Sequence, residues 1–372
     1  MPDQNHRGIT RRASLQVFGV AAAAGVGGLA GTGRPVAASA TLPIAKTWTP
    51  STFIAGVSDA GGDLASILSR NGVLYNGIDT APTSLKYRGE KVVLEPYEAS
   101  EYSYDATKHT ELTALRGQGF TTHGDVGFVF FDGGYARAVD LSTHAYIGST
   151  FALPSGVQNA SNHAGQANFG VEYVDSADEF PVLYLSSYLE KKCYVLRMTR
   201  TSAELVQTIY VTDGSLDGSS NYVLSNAQAF FPDAQNDKLV VKMGATGPDS
   251  VKYKFWYVFD MPTLDLGSTV YLFEEKACDR FFIRTLKGNV TASLNYVNGG
   301  FAMNGKLYVL AGFTGDTSRL LVIDYEKHKI LTEIDWDTTL ITSGEGEQCC
   351  LYGDSLLINL TWKDYLVRVT FG

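Results

Sequence analysis

The chain has 372 residues, among them 21 Tyr and 19 Phe, and a formal net charge of −9. That surplus of acid excludes a phosphate-binding surface, so no nucleic-acid partner is expected, while it is indifferent to a neutral sugar. Many aromatic, Val, Thr and Gly residues beside sparse Glu and Lys point to an all-β protein.

The first forty residues read as an export signal rather than as part of the fold. Thr10-Arg11-Arg12-Ala13-Ser14-Leu15 is a twin-arginine pair, and an Ala- and Gly-rich apolar run follows from Val17 to Ala30. Ala38-Ser39-Ala40 offers the small-x-small pattern that signal peptidase cuts. The run is short and glycine-rich for a membrane span, and no later stretch is long and apolar enough to be one. The expectation is a Tat-type signal over 1–40 and a β domain over 41–372. The mature chain would be secreted, periplasmic or at the cell surface, with no transmembrane segment once the signal is cleaved.

Residues 41–60 read as an extended lead-in, and 61–71 fit one short helix. Beyond them the chain repeats one kind of unit: an apolar strand, a polar turn, and a second alternating strand that often ends in Asp-Leu or Asp-Tyr. Gly124–Phe131 leads to Ala138–Leu141, Gly305–Ala311 to Leu321–Tyr325, and Gly353–Asn359 to Leu366–Val369. Aligning the first strands sets Phe120, Phe169, Phe230, Phe301 and Cys350 in one column, with spacings of 49, 61, 71 and 49 residues. Repeats of that length with several strands each indicate a single β-propeller. Five repeats are recognised. The 71-residue interval near Phe281-Phe282-Ile283 and residues 72–95 leave room for more, so six or seven blades are expected. A β-sandwich with loose internal similarity is the competing fold.

Polar residues two apart precede each apolar first strand: Arg116 and Gln118, Gln166 and Asn168, Asn226 and Gln228, Asn298 alone, and Glu345 and Glu347. Positions i and i+2 share one face of a strand, and the innermost strands of a propeller line its axis. Equivalent polar side chains would therefore converge on one pocket. Amides, a guanidinium and carboxylates together suit sugar hydroxyls, which both donate and accept. The plainer reading has them satisfy strand ends along a wet channel.

The sequence after Ala40 holds His109, His123, His144, His163 and His328. His163 lies just ahead of Gln166 and is placed to act as a general acid or base. His109 precedes Arg116 by seven residues and would sit over the same mouth. His123, next to Gly124, reads as a turn residue, and His144 and His328 as exposed turn residues. Cys193, Cys278, Cys349 and Cys350 form no C-x-x-C pair, and the adjacent two point to opposite strand faces. They read as small buried hydrophobes, with a Cys193–Cys278 bridge left open. No nucleophile elbow, zinc-protease helix, Walker loop or dinucleotide fingerprint is present. No cofactor is expected; Asp and Glu at loop ends could hold Ca²⁺, but no spacing demands it.

The order of His109–Phe120, His163–Glu172, Gly299–Leu310 and Glu345–Tyr352 resembles the β-propellers grouped with teichoic acid biosynthesis protein C and the receptor-binding propeller of certain phage tails. The resemblance covers most of residues 100–372 through short, degenerate motifs. It departs at Glu345-Gly346-Glu347-Gln348, where a Pro and a Gly are usual. It implies a surface-glycan partner. The same propeller is similar to that of lyases which release rhamnose from glucuronate-capped glycans. That likeness implies a base, an acid and a cation, roles that His163, Tyr188 or Tyr173, and Arg116 would fill. Gln118, Gln166, Asn168, Asn226, Gln228, Asn298, Glu345 and Glu347 would then contact substrate. The expected function is an exported propeller that binds or eliminatively cleaves a glycan or polysaccharide. The alternative is a non-catalytic recognition or scaffold propeller.

Overall fold

Short alternating runs closed by Gly, Asn and Asp turns can bury both faces only by stacking sheet on sheet, and that is what the chain does. A computed structural model describes residues 46–47, 87–93, 117–131, 133–158, 165–187, 191–212, 223–246, 252–273, 276–281, 297–312, 319–327, 329–335, 346–353, 355–360 and 365–371.

Two strands come first, β1 (Lys46–Thr47) and β2 (Tyr87–Val93). Blade one is the meander β3 (Gly117–His123), β4 (Val126–Phe131), β5 (Tyr135–Asp140) and β6 (Ala145–Ala152). Blade two starts with β7 (Gln166–Phe169), is interrupted by β8 (Glu172–Tyr173), and continues as β9 (Leu183–Ser187), β10 (Lys192–Met198) and β11 (Ala203–Thr212). Blade three has β12 (Val223–Asp233), β13 (Lys238–Thr246) and β14 (Lys252–Asp260). The chain then returns to blade two and adds β15 (Ser268–Phe273) in parallel beside β11, before β16 (Asp279–Phe281) completes blade three. Blade four is β17 (Val297–Met303), β18 (Lys306–Ala311), β19 (Arg319–Asp324) and β20 (Lys329–Asp335). Blade five is β21 (Gly346–Tyr352), β22 (Ser355–Leu360) and β23 (Tyr365–Phe371), and β2 is its outermost strand.

The inner strands close a ring: β3 packs on β7, and β12 packs on both blade two and β17; β17 meets β21, and β21 returns to β3. The fold is a five-bladed β-propeller, not the six or seven blades expected. Both stretches assigned to extra blades have other uses. Tyr87–Val93 pairs with β23 and closes the ring between the two ends of the chain. Asp279–Phe281 is the short fourth strand of blade three, and the length before it is taken up by the excursion to β15. The 61–71 helix lies outside the described residues.

The core lies between blades. Phe128, Phe130, Ala136 and Ala138 of blade one interlock with Ala167, Phe169, Leu183 and Leu185 of blade two. Phe231, Trp256 and Phe281 of blade three face Leu307, Val309 and Leu321 of blade four. All four cysteines are free: Cys193, Cys349 and Cys350 are buried, and Cys278 is exposed. No helix among the described residues is long and apolar enough to cross a membrane.

Candidate functional site

Every inner strand begins at the same end of the propeller, and its first residues pair with the last residues of the second strand of its blade. Gln166 pairs with Ser186, Gln348 with Asn359, and Gly299 with Leu310. In four blades the ladder skips a residue at this level. The register jumps from Gly117 to Gly119, from Ala227 to Ala229, from Val297 to Gly299, and from Gly346 to Gln348. The residues left over are Gln118, Gln228, Asn298 and Glu347. A bulge leaves one residue unpaired, so in these four blades a polar residue is the one the ladder releases. In blade two Gln166 and Asn168 both stay in the ladder, and in blade three a second register jump, between Leu224 and Ala227, takes in Asn226 as well.

At this level Gln348 and Gln166 meet across the axis. Gln348 Nε2 donates to Gly300 O at 2.9 Å and Ala167 O at 3.2 Å, and its Oε1 accepts from Gly300 N at 3.1 Å. Gln166 Nε2 donates to the same Gly300 O at 3.2 Å. Blade four yields the room. Gly300 has φ of 155°, and a Cβ there would lie 2.0 Å from Tyr308 O; a Cβ on Gly299 would lie 2.0 Å from Gln348 Oε1. Glycine at 299 makes room for Gln348, and glycine at 300 for the Tyr308 carbonyl of the neighbouring strand. Asn298 Nδ2 donates to Gly312 O at 2.8 Å and to Gly346 O at 2.9 Å, tying blade four to blade five.

Some of the polar capacity is unmatched. Gln118 Oε1, Gln166 Oε1 and Asn168 Nδ2 are buried and make no hydrogen bond, although Gln118, Gln166 and Asn168 are only 3%, 0% and 5% exposed. Two acceptors and a donor on adjacent inner strands are what a hydroxyl-rich ligand or ordered water would satisfy. Glu347, 8% exposed, stands at the bulge of blade five.

Of the residues singled out in the sequence, Gln118, Gln166, Asn168, Asn298 and Glu347 all lie on inner strands. Asn226 and Gln228 lie on β12 by backbone. His109, His163, Arg116, Tyr188 and Glu345 lie outside the described residues. Tyr173 is on β8, beyond the far end of β7 from Gln166, and burial holds its hydroxyl well above the ordinary tyrosine range. His123 is the last residue of β3 rather than a turn residue: its ring packs edge-on against Phe169 and Phe180 at 5.6 and 5.7 Å. His144 is exposed in a turn, as expected, and His328 lies outside the described residues.

Gln348 is the residue that sequence reasoning passed over. The sequence alignment sets it level with Gln118 and Gln228, but the ladder places it one residue further on, level with Gly119, Ala229 and Gly299, and Glu347 takes the bulge. At the opposite end of the blades, the carboxyl of Glu172 is held above its usual range by burial and by Asp237. Among the described residues, no cluster of three or more His, Cys, Asp or Glu is arranged to hold a metal ion.

No model of a known protein family matches the chain, and no curated protein does. Among solved structures, the chain is similar to the glutaminyl cyclase of Myxococcus xanthus, with a TM-score of 0.42 and 13% sequence identity over 68% of this chain and 90% of that one. A likeness that remote carries no argument about activity.

Proposed function

We propose that this protein is exported and binds an extracellular glycan at the polar end of its propeller axis, where it acts as an eliminative lyase. The supporting observation is the set of buried, unmatched amide atoms on Gln118, Gln166 and Asn168 beside the bulged Glu347. Sugar hydroxyls supply both partners such atoms lack, and burial makes leaving them unmatched costly. The catalytic part rests on the sequence. His163 precedes Gln166 by three residues, and Tyr188 directly follows Ser187, whose neighbour Ser186 pairs with Gln166. Tyr188 therefore serves better than the buried Tyr173 as the acid.

In the elimination, His163 takes the proton at C5 of a uronate residue. The electrons of that bond form the C4–C5 double bond, and the C4–O bond breaks with its oxygen protonated by Tyr188. Arg116 neutralises the carboxylate. A hydrolase is the poorer fit because it needs two facing carboxylates.

The test incubates the full chain with a polysaccharide whose glucuronate residues carry rhamnose at O4, the leaving group of the elimination, and follows both retention of the glycan and the ultraviolet absorbance of the unsaturated product. The wild type is expected to do both. His163→Ala should retain glycan while turnover falls by at least roughly a hundredfold, the scale of general acid–base catalysis. Retention without absorbance would leave the non-catalytic recognition propeller, a reading favoured by the use of Gln348 and Asn298 amides in bonds between blades. No retention at all would end both readings.

A further inference from the structure

Cys278 is the one exposed cysteine of the four, and blade three sets it against two charged side chains. Lys238 opens β13 and stands directly across from Asp260, the last residue of β14. The Cys278 backbone N–H donates to Val258 O at 2.7 Å, and Asp279 then pairs with Val258 as β16 begins. That anchoring brings the thiol in from the far side of β14. The Lys238 ammonium bonds the Asp260 carboxylate. The Cys278 thiol donates to the same Asp260 Oδ1 at 3.3 Å, and Lys238 Nζ lies 3.9 Å from Cys278 Sγ. A sulfur, an amine and a carboxylate from three neighbouring segments are thus in mutual contact at the surface, at the opposite end of the blades from the polar bulges.

A cysteine oxidised to its sulfenic acid condenses with a nitrogen that lies within reach, giving a sulfenamide. Here the nitrogen is already beside the sulfur, on a flexible stem. We propose that Cys278 and Lys238 form a peroxide-driven cross-link, an S–N bond that staples β13 to the start of the short outer strand β16. The chemistry is independent of whatever binds at the polar end of the axis.

Two steps make the bond. In the first, the Cys278 sulfur gives an electron pair to one oxygen of hydrogen peroxide. The O–O bond breaks, an S–O bond forms, and the thiol proton leaves with the other oxygen as water; sulfur is oxidised and peroxide reduced. In the second, Lys238 Nζ, its extra proton passed to Asp260, attacks the sulfur. The S–N bond forms, the S–O bond breaks, and hydroxide leaves with an amine proton as water. The chain loses two hydrogens in all. The thiolate is the attacking species, and burial and Asp260 hold the Cys278 thiol above its usual range. Asp260 does the same for the Lys238 ammonium. The resting pair is therefore protected at neutral pH and reacts faster as pH rises. β16 is held by a ladder of only three residues, so a bond that closes the stretch from 238 to 278 into a loop restricts the unfolded chain and stabilises the blade.

The test treats the full chain with hydrogen peroxide and reads a peptide digest by mass spectrometry and the melting temperature. Expected are a peptide joining Lys238 to Cys278, lighter by two hydrogens than its separate parts, and a higher melting temperature, both reversed by dithiothreitol. The joined peptide should form faster from neutral toward alkaline pH. Lys238→Arg keeps a cation beside Asp260 but removes the amine. It should stop at the sulfenic acid, trapped by a cyclic diketone reagent, with no joined peptide and no gain in melting temperature. Three results would each overturn the proposal: oxidation of Cys278 to sulfinic or sulfonic acid with no joined peptide, joining to the exposed Lys276 as often as to Lys238, or the same stabilisation by peroxide in Lys238→Arg.

Discussion

Gln348 joins three blades with one side chain: Gly300 on blade four and Ala167 on blade two are both held from blade five. It is 0% exposed, and it shares Gly300 O with Gln166. Gln348→Leu keeps much of the volume but leaves the buried Gly300 N–H and the Ala167 carbonyl without this partner. The expected loss is about 2–4 kcal/mol, the range for breaking a buried network, read as a lower urea midpoint at an unchanged denaturant slope. A midpoint within error of the wild type would mean that water replaces the amide. The repeat alignment set this residue level with Gln118 and Gln228, whereas the ladder puts Glu347 at their position and Gln348 one residue beyond. What the alignment could not reveal is that Gln348 crosses the axis while Gln118 keeps an unmatched oxygen. That difference depends on Gly299 and Gly300, which lie on a different blade.

Two features have a placement that the local sequence does not give. Tyr87–Val93 lies in the 72–95 stretch expected to supply a further blade, but it serves as the fourth strand of blade five. A strand's alternation tells which face is buried, not which neighbour it pairs with. The placement predicts how the ring closes. A chain truncated to begin at residue 97 lacks β2, leaving β23 as an open edge and blade five without its outer strand. Such a protein should be insoluble or should lose its cooperative thermal transition, observable by circular dichroism. A truncated protein that melts like the full chain would show that the closure is dispensable. The bulges are the second case. Each polar residue was singled out for its chemistry, whereas the extra residue in the ladder emerges only when β3, β12, β17 and β21 are laid against their partners.

At the scale of the molecule, each junction between blades carries its own link beside the apolar core. Asn359 Nδ2 donates to Gly117 O at 2.8 Å between blades five and one. His123 and Phe128 pack on Phe169 and Phe180 between one and two. The Ser186 hydroxyl accepts from Phe230 N at 3.1 Å between two and three. Asp233 accepts from Tyr325 OH and Gly305 N, both at 2.7 Å, between three and four, and Asn298 joins four to five. Unfolding should therefore be cooperative around the ring.

The alkaline limit follows from the same burial. Desolvation, aided by Asp233 beside Tyr325 and by Glu172 beside Tyr184, holds both hydroxyls well above the ordinary tyrosine range. A raised folded-state value contributes stability that is fully present below the unfolded value near about 10 and is lost as pH climbs above it. The urea midpoint should accordingly fall from about pH 10 upward, with a shallower slope in Tyr325→Phe. An unaltered slope in that variant would remove Tyr325 from the account.

The amino-acid sequence by itself determined the strand-rich class, the repeat and the polar positions at the head of each inner strand, because alternation and turn chemistry are local properties written residue by residue. Tertiary structure decided that the ring has five blades, that β2 and β15 belong to blades distant in sequence, and which buried amides are matched across the axis. Those outcomes depend on pairings between residues up to about three hundred positions apart, and their energies exist only once the ring has closed.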